Sequence, residues 1–151
     1  DGKFGLPPFL TDNPGINSGY MMLQVTAASI VSENKTLCHP ASVDSIPTGA
    51  GQEDHVSMGA TASWNLYEAI QRCSEVIACE AFVAHRALQA KELQSSTCVT
   101  AFVRCMNSIV NPEICDRSTS RELINISREL TSSKWLSVIQ STLAHPLKKS
   151  L

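Results

Sequence analysis

Gln52, Glu53, Asp54, His55 and Ser57 fall within six consecutive positions, behind the Pro/Gly-rich stretch Ser45-Ile46-Pro47-Thr48-Gly49-Ala50-Gly51. These groups accept protons, donate hydrogen bonds and carry charge. Gly49 and Gly51 free the loop's backbone for a close approach to a ligand. The segment reads as a binding site first and a structural element second. A Glu53–His55 acid–base pair is one reading. On a helix, residues two apart point in different directions, so the two would not touch there. Gln52-Glu53-Asp54 also suits an acidic first turn favoured by a helix macrodipole, and His55 a solvated or core-satisfied imidazole. Cys38-His39 lacks a second ligand pair at metal-binding spacing, so no metal is expected. Gly15 and Gly19 do not make a phosphate-binding glycine motif. Met21-Met22 by themselves read as core.

The elements that must position this segment are helical. Residues 1–15 are loop, with Pro7-Pro8 and Asn13-Pro14-Gly15 as turn signals. A helix is expected from about Gly19 to Asn34, capped by Asn17 or Ser18. Its apolar and small residues run around most of the circumference, which predicts burial on several sides. Lys35–Gly51 returns to loop through Pro40 and Pro47. From about Asp54 to Leu93, Ala60, Trp64, Tyr67, Ile70, Cys73, Ile77, Ala81, Ala84 and Leu88 recur at three- and four-residue steps. Roughly 40 residues of helix would span about 60 Å, longer than a compact domain of this size is wide. Between Val76 and Leu88 the pattern is fairly apolar around the whole helix, so partners from outside the chain or from a missing part of the same protein are expected. Further helices are expected at 95–110, from Ser120 to about Glu129, and around Trp135–Leu143, before a basic Lys148-Lys149 end. The fold class is therefore all-α, a long-helix bundle forming part of a larger helical subunit, with residues 1–151 as a single segment.

Bulk properties restrict the function. The chain has 151 residues, 43% apolar and 17% charged, which suits one folded domain and argues against disorder. A net charge of −2 and a pI near 6.1 give no general attraction to nucleic acid or to an anionic membrane. No apolar run approaches the roughly 18 residues needed to span a bilayer. The six cysteines show no CxxC spacing, and four lie on helical patterns. They are expected to be buried free thiols in a reducing, cytoplasmic setting. The sequons at Asn34 and Asn125 would be inert there. The start at Asp1, without Met or a signal-peptide layout, leads to the expectation of a fragment, a processed product or a split chain.

The wording of the sequence carries further. Asn13-Pro14-Gly15-Ile16-Asn17-Ser18-Gly19-Tyr20-Met21, then Gln24-Val25-Thr26-Ala27-Ala28, Val31-Ser32-Glu33-Asn34-Lys35, His39-Pro40-Ala41-Ser42-Val43-Asp44-Ser45-Ile46-Pro47-Thr48 and Gln52-Glu53-Asp54-His55-Val56-Ser57-Met58-Gly59 follow one another in order. Together they closely resemble the histidine ammonia-lyase branch of the aromatic amino acid lyase and aminomutase family. The likeness is nearly continuous from residue 13 to about 62. It implies a helical, usually homotetrameric enzyme with active sites where subunits meet. The implied reaction removes ammonia from L-histidine to give trans-urocanate. Its cofactor, methylidene-imidazolone (MIO), is made autocatalytically from an Ala-Ser-Gly triplet.

By the same resemblance, Glu53 reads the imidazole of the substrate and assists proton transfer. Met21 lines the side-chain pocket, and Gln52 supports the electrophile or the substrate by hydrogen bonds. His55 and Ser57 act behind them. No Ala-Ser-Gly occurs in these 151 residues; the nearest is Asn17-Ser18-Gly19. The chain is accordingly expected to be a C-terminal portion, inactive alone and completed by an N-terminal MIO-bearing chain or segment. Two alternatives stand beside this: a lyase or aminomutase for another aromatic amino acid, and a catalytically dead helical subunit that only assembles.

Overall fold

The longest element is a 31-residue helix that takes its buried stripe from Ser74, Ala78, Ala81, Phe82 and His85. These positions advance by three, four and one residues, the step of an α-helical face. The computed structural model describes residues 1–91, 95–113 and 115–144. It contains α1 (Met21–Leu37), α2 (Gly59–Gln89), α3 (Thr97–Asn107), α4 (Ser120–Thr131) and α5 (Ser133–Ala144), with short 3-10 turns at Pro8–Leu10, Ala41–Asp44 and Gly49–Gly51. Among the described residues there are two isolated β-bridges and no strand. The all-α expectation is met.

α2 is the spine. It packs against α1 on one side and α4 on another, while α3 packs against α5. Phe82, Met106 and Ile126, from α2, α3 and α4, are fully buried and meet Tyr20, Leu23, Ala78 and Trp135 in a single cluster. Complete burial of side chains this size is worth about 1.5–3 kcal/mol each. Ala78 lies at the centre because a methyl side chain lets the neighbouring helices come close. Tyr20 meets Phe82 at a ring separation of 5.3 Å, and Phe102 meets Trp135 edge-on at 6.0 Å.

Several boundaries and burials differ from expectation. The second long helix starts at Gly59 rather than Asp54, because Met58 sits at φ 50°, in the left-handed region, and interrupts helical continuity. Its 31 residues span about 46 Å at the usual rise. Leu93 and the stretch from His145 to Leu151, with Lys148-Lys149, lie outside the described residues. α1 is not buried on several sides: Leu23 is its one buried residue, and Met22, Val25 and Val31 are exposed. Among the described residues, α2 is the helix that packs extensively on it. The apolar half-turns of α2 around Trp64, Tyr67, Ile70 and Ile77 are likewise exposed. All six cysteines are free, but only Cys79 is buried; Cys38, Cys73 and Cys115 are exposed. No helix among the described residues is long and apolar enough to cross a membrane.

Candidate active site

The Gln52–Ser57 segment is a strapped loop. Thr48 and Glu53 pair in antiparallel fashion, the Thr48 N–H donating to the Glu53 carbonyl at 2.9 Å and the Glu53 N–H to the Thr48 carbonyl at 3.2 Å. A second strap closes lower down, where the Val56 N–H donates to Ser45 Oγ at 2.7 Å. Inside the Thr48–Glu53 pair, Gly49, Ala50 and Gly51 all take positive φ. Two glycines make that path cheap, and Ala50 bears a strained conformation that the straps sustain. The backbone of residues 53–56 is therefore held extended or bent, not helical. The reading of Gln52-Glu53-Asp54 as an acidic first turn fails on this point, since α2 has no acidic residue in its first turn. Gln52, Glu53, Asp54, His55 and Ser57 all face solvent in the chain by itself. Among the described residues Glu53 and His55 do not come together as a hydrogen-bonded or ion pair, while His39 lies 3.9 Å from Asp44.

Met21 stands elsewhere, at the first position of α1, half-exposed. It lines a cavity of about 640 Å³ with Phe4, Phe9, Tyr20, Gln24 and Val83. Gln52 and Glu53 do not line that cavity. The chain thus presents two separate surfaces, a strapped polar loop and an apolar hollow.

What holds the hollow in place was not legible as a motif. Gly19, at φ +56°, lets the Phe9 carbonyl approach so closely that an added Cβ would lie 2.5 Å from it. The Tyr20 N–H donates to that same carbonyl at 3.0 Å. From the other side, the Ser18 and Gly19 N–H groups donate to the two oxygens of Asp116 at 2.8 and 2.9 Å. Asp116 belongs to the loop between α3 and α4, which a buried network anchors. The Arg86 guanidinium donates to the carbonyls of Asn111, Pro112 and Glu113 and lies 5.6 Å from the Tyr20 ring centre and 5.5 Å from that of Phe82. Glu122 accepts from the Asn111 N–H at 2.7 Å and from Arg117 through both terminal guanidinium nitrogens. Burial pushes the Glu122 carboxyl upward, but the Arg117 and Asn111 hydrogen bonds and the charges of Arg117 and Arg86 outweigh it and hold the carboxyl below its usual range.

His85, 1% exposed, completes the neighbourhood with a 2.8 Å bond between Nε2 and Asn107 Oδ1. Burial lowers its pKa; the Asn107 bond opposes this and the Arg86 charge adds to it, so the ring is held neutral. One signal could have found this network: Arg86, which with Glu80 and His85 interrupts the largely apolar run from Val76 to Leu88. A buried cation requires acceptors close by. Asp116, Arg117 and Glu122 had no such signal.

A sequence model of the aromatic amino acid lyases matches residues 1–108. The chain is 44% identical over 137 residues to the histidine ammonia-lyase of Deinococcus radiodurans, covering 91% of this chain and 26% of that protein. Among solved structures it superposes on histidine ammonia-lyase from Trypanosoma cruzi with a TM-score of 0.83 and 34% identity, covering 91% of this chain and 27% of that one. It superposes on tyrosine aminomutase from Streptomyces globisporus with a TM-score of 0.87 and 26% identity, covering 96% and 28%. The chain spans about a quarter of the length of the relatives it matches. With a family match over residues 1–108 and a helical fold shared with solved members, the chain belongs to the aromatic amino acid lyase family.

Proposed function

We propose that this chain forms one wall of a histidine ammonia-lyase active site, in which L-histidine loses ammonia to give trans-urocanate, a reaction of histidine catabolism. The observation that carries the reading is the 44% identity over 137 residues to a histidine ammonia-lyase, joined to a carboxylate presented on a strapped, solvent-facing loop. Glu53 accepts the N–H of the substrate imidazole and favours its charged form, an interaction stronger than a neutral hydrogen bond. The adjacent Gln52 amide donates and accepts beside it. Met21, on the separate hollow, supplies apolar contact to the substrate side chain of a site that its copy shares with the Glu53 loop of another copy in the assembly. His55 and Ser57 support the loop from behind. In the reaction the β-carbon gives up a proton to a base, its electrons form the Cα–Cβ double bond, and the Cα–N bond breaks to release the amine. Glu53 assists proton transfer by holding charge next to the ring.

The family depends on MIO, which supplies the electrophile that makes the amine a leaving group. The residues here cannot build it: there is no Ala-Ser-Gly, and in Asn17-Ser18-Gly19 the Ser18 and Gly19 N–H groups are engaged by Asp116. The reading therefore includes an N-terminal MIO-bearing chain or segment as partner and a homotetramer-type assembly in the cytoplasm. The exposed apolar faces of α1 and α2 support the need for partners. The test follows urocanate absorbance in the native assembly. Glu53→Gln and Glu53→Ala should each lower kcat/KM for L-histidine by about 100-fold, the scale of general acid–base contributions. Unchanged histidine turnover would sink the role of Glu53.

The likeness to a tyrosine aminomutase structure keeps a second reading in view, an aminomutase or a lyase for another aromatic amino acid. A substrate panel analysed for β-amino acids separates the two. Absence of any MIO-bearing chain from the native particle would favour a catalytically dead assembly subunit instead.

A further inference from the structure

We propose that Asp116 is a positioning residue for the substrate pocket: its carboxylate reaches across the fold to hold the Ser18-Gly19 backbone and so sets where Met21 stands. This rests on the reading of Met21 as a pocket residue. The geometry is a clamp with two jaws. One is the Phe9 carbonyl, in contact with Gly19 and accepting from the Tyr20 N–H. The other is Asp116, whose two oxygens take the Ser18 and Gly19 N–H groups from a distance of 98 and 97 residues along the chain. Among the described residues neither of those N–H groups has another acceptor.

The turn needs the clamp. α1 begins without a side-chain cap of its own, Tyr20 standing at the cap position with no such bond. Gly19 has a positive φ and a free choice of backbone angles, so the turn is loose unless held from outside. Asp116 is itself held, because its loop is tied by the Arg86 contacts to the 111–113 carbonyls and by the Arg117–Glu122 pair. The chain of contacts runs from a buried arginine on α2, through the α3–α4 loop, to the first residue of α1.

The test uses Asp116→Ala and Asp116→Asn in the native assembly, with two readouts. Loss of a charge-assisted pair should raise KM for L-histidine roughly tenfold in Asp116→Ala, while kcat changes by less than about twofold. Asp116→Asn keeps one carbonyl acceptor and should recover most of that loss. In parallel, hydrogen exchange at the Ser18 and Gly19 amides should quicken by roughly tenfold in Asp116→Ala and less in Asp116→Asn. Unchanged exchange at both amides overturns the proposal. So does an equal fall of kcat and kcat/KM that Asp116→Asn does not relieve, which is the mark of general destabilisation. If Asp116→Ala does not assemble, Asp116→Asn decides alone, by a smaller KM rise with faster exchange or by neither. If the unaltered assembly makes no urocanate, the lyase reading falls, and the exchange readout still decides whether Asp116 holds the turn.

Discussion

Replacing Gly19 by alanine tests the clamp from its other jaw, and the structure supplies its own control. At Gly19 two penalties combine. The φ of +56° places an alanine in the left-handed region, and the new Cβ would meet the Phe9 carbonyl oxygen at 2.5 Å and the Thr11 side chain at 3.1 Å. At Gly51 only the first penalty applies: φ is +86° and nothing lies within 4 Å of an added Cβ. The backbone penalty is about 1–2 kcal/mol at either site, offset by about 0.4–1 kcal/mol from the stiffer unfolded chain. The clash at Gly19 adds the cost of overpacking, about 1–3 kcal/mol, because the atom in the way is backbone and cannot swing aside. Gly19→Ala should therefore destabilise by roughly 2–4 kcal/mol and Gly51→Ala by about 1 kcal/mol or less. Urea denaturation followed by circular dichroism measures both. In a melt, the difference corresponds to several degrees, at about 2–4 °C per kcal/mol for a protein of this size. If Gly19→Ala proves no worse than Gly51→Ala, the turn is not clamped against Phe9 as described.

Two further predictions concern pH. Glu122 has a lowered carboxyl pKa in the fold, so its contribution is complete above the ordinary carboxylate range and is lost as pH falls through the lowered folded value. Glu122→Gln should flatten the acid limb of a stability-versus-pH curve at the cost of lower stability at neutral pH; an unchanged acid limb would remove Glu122 from the network. His85 also has a lowered pKa, so the neutral ring stabilises the fold above its unfolded value near 6.5, and stability drains as pH falls from there toward the folded value. Its ring nitrogen Nε2 faces Asn107, and Arg86 is the charge that acts on it. His85→Gln should abolish the slope in that window, read by urea midpoints at a series of pH values; a slope that persists would locate the proton uptake elsewhere.

The helices were readable because their cause is local. Three- and four-residue apolar steps survive in any sequence that buries one helix face, and α2, α3 and α4 lie where that periodicity puts them. The start of α2 was misplaced by about five residues because Asp54 and His55 have no local reason to avoid a helix. The left-handed Met58, with the Thr48–Glu53 pairing and the Ser45 strap, keeps them out of it, and none of these has a sequence signature. The burial of α1 was overestimated for a related reason: apolar residues run around its circumference, but Met22, Val25 and Val31 find no cover among the described residues.

The dense run of polar groups from Gln52 to Ser57, the glycines before it and the all-helical class were all determined by the sequence itself, since residue type and spacing specify them without reference to distant atoms. The family likeness came from the same source, as an ordered set of words from Asn13 to Gly59. Tertiary structure alone decided that Met21 and Glu53 lie on separate surfaces of this chain, and that an aspartate 97 residues away holds the turn before Met21. The physical reason is range. Helix propensity and turn chemistry act over a few residues, whereas a carboxylate finds its backbone partners only after α2, α3 and α4 have packed and fixed the loop that carries it.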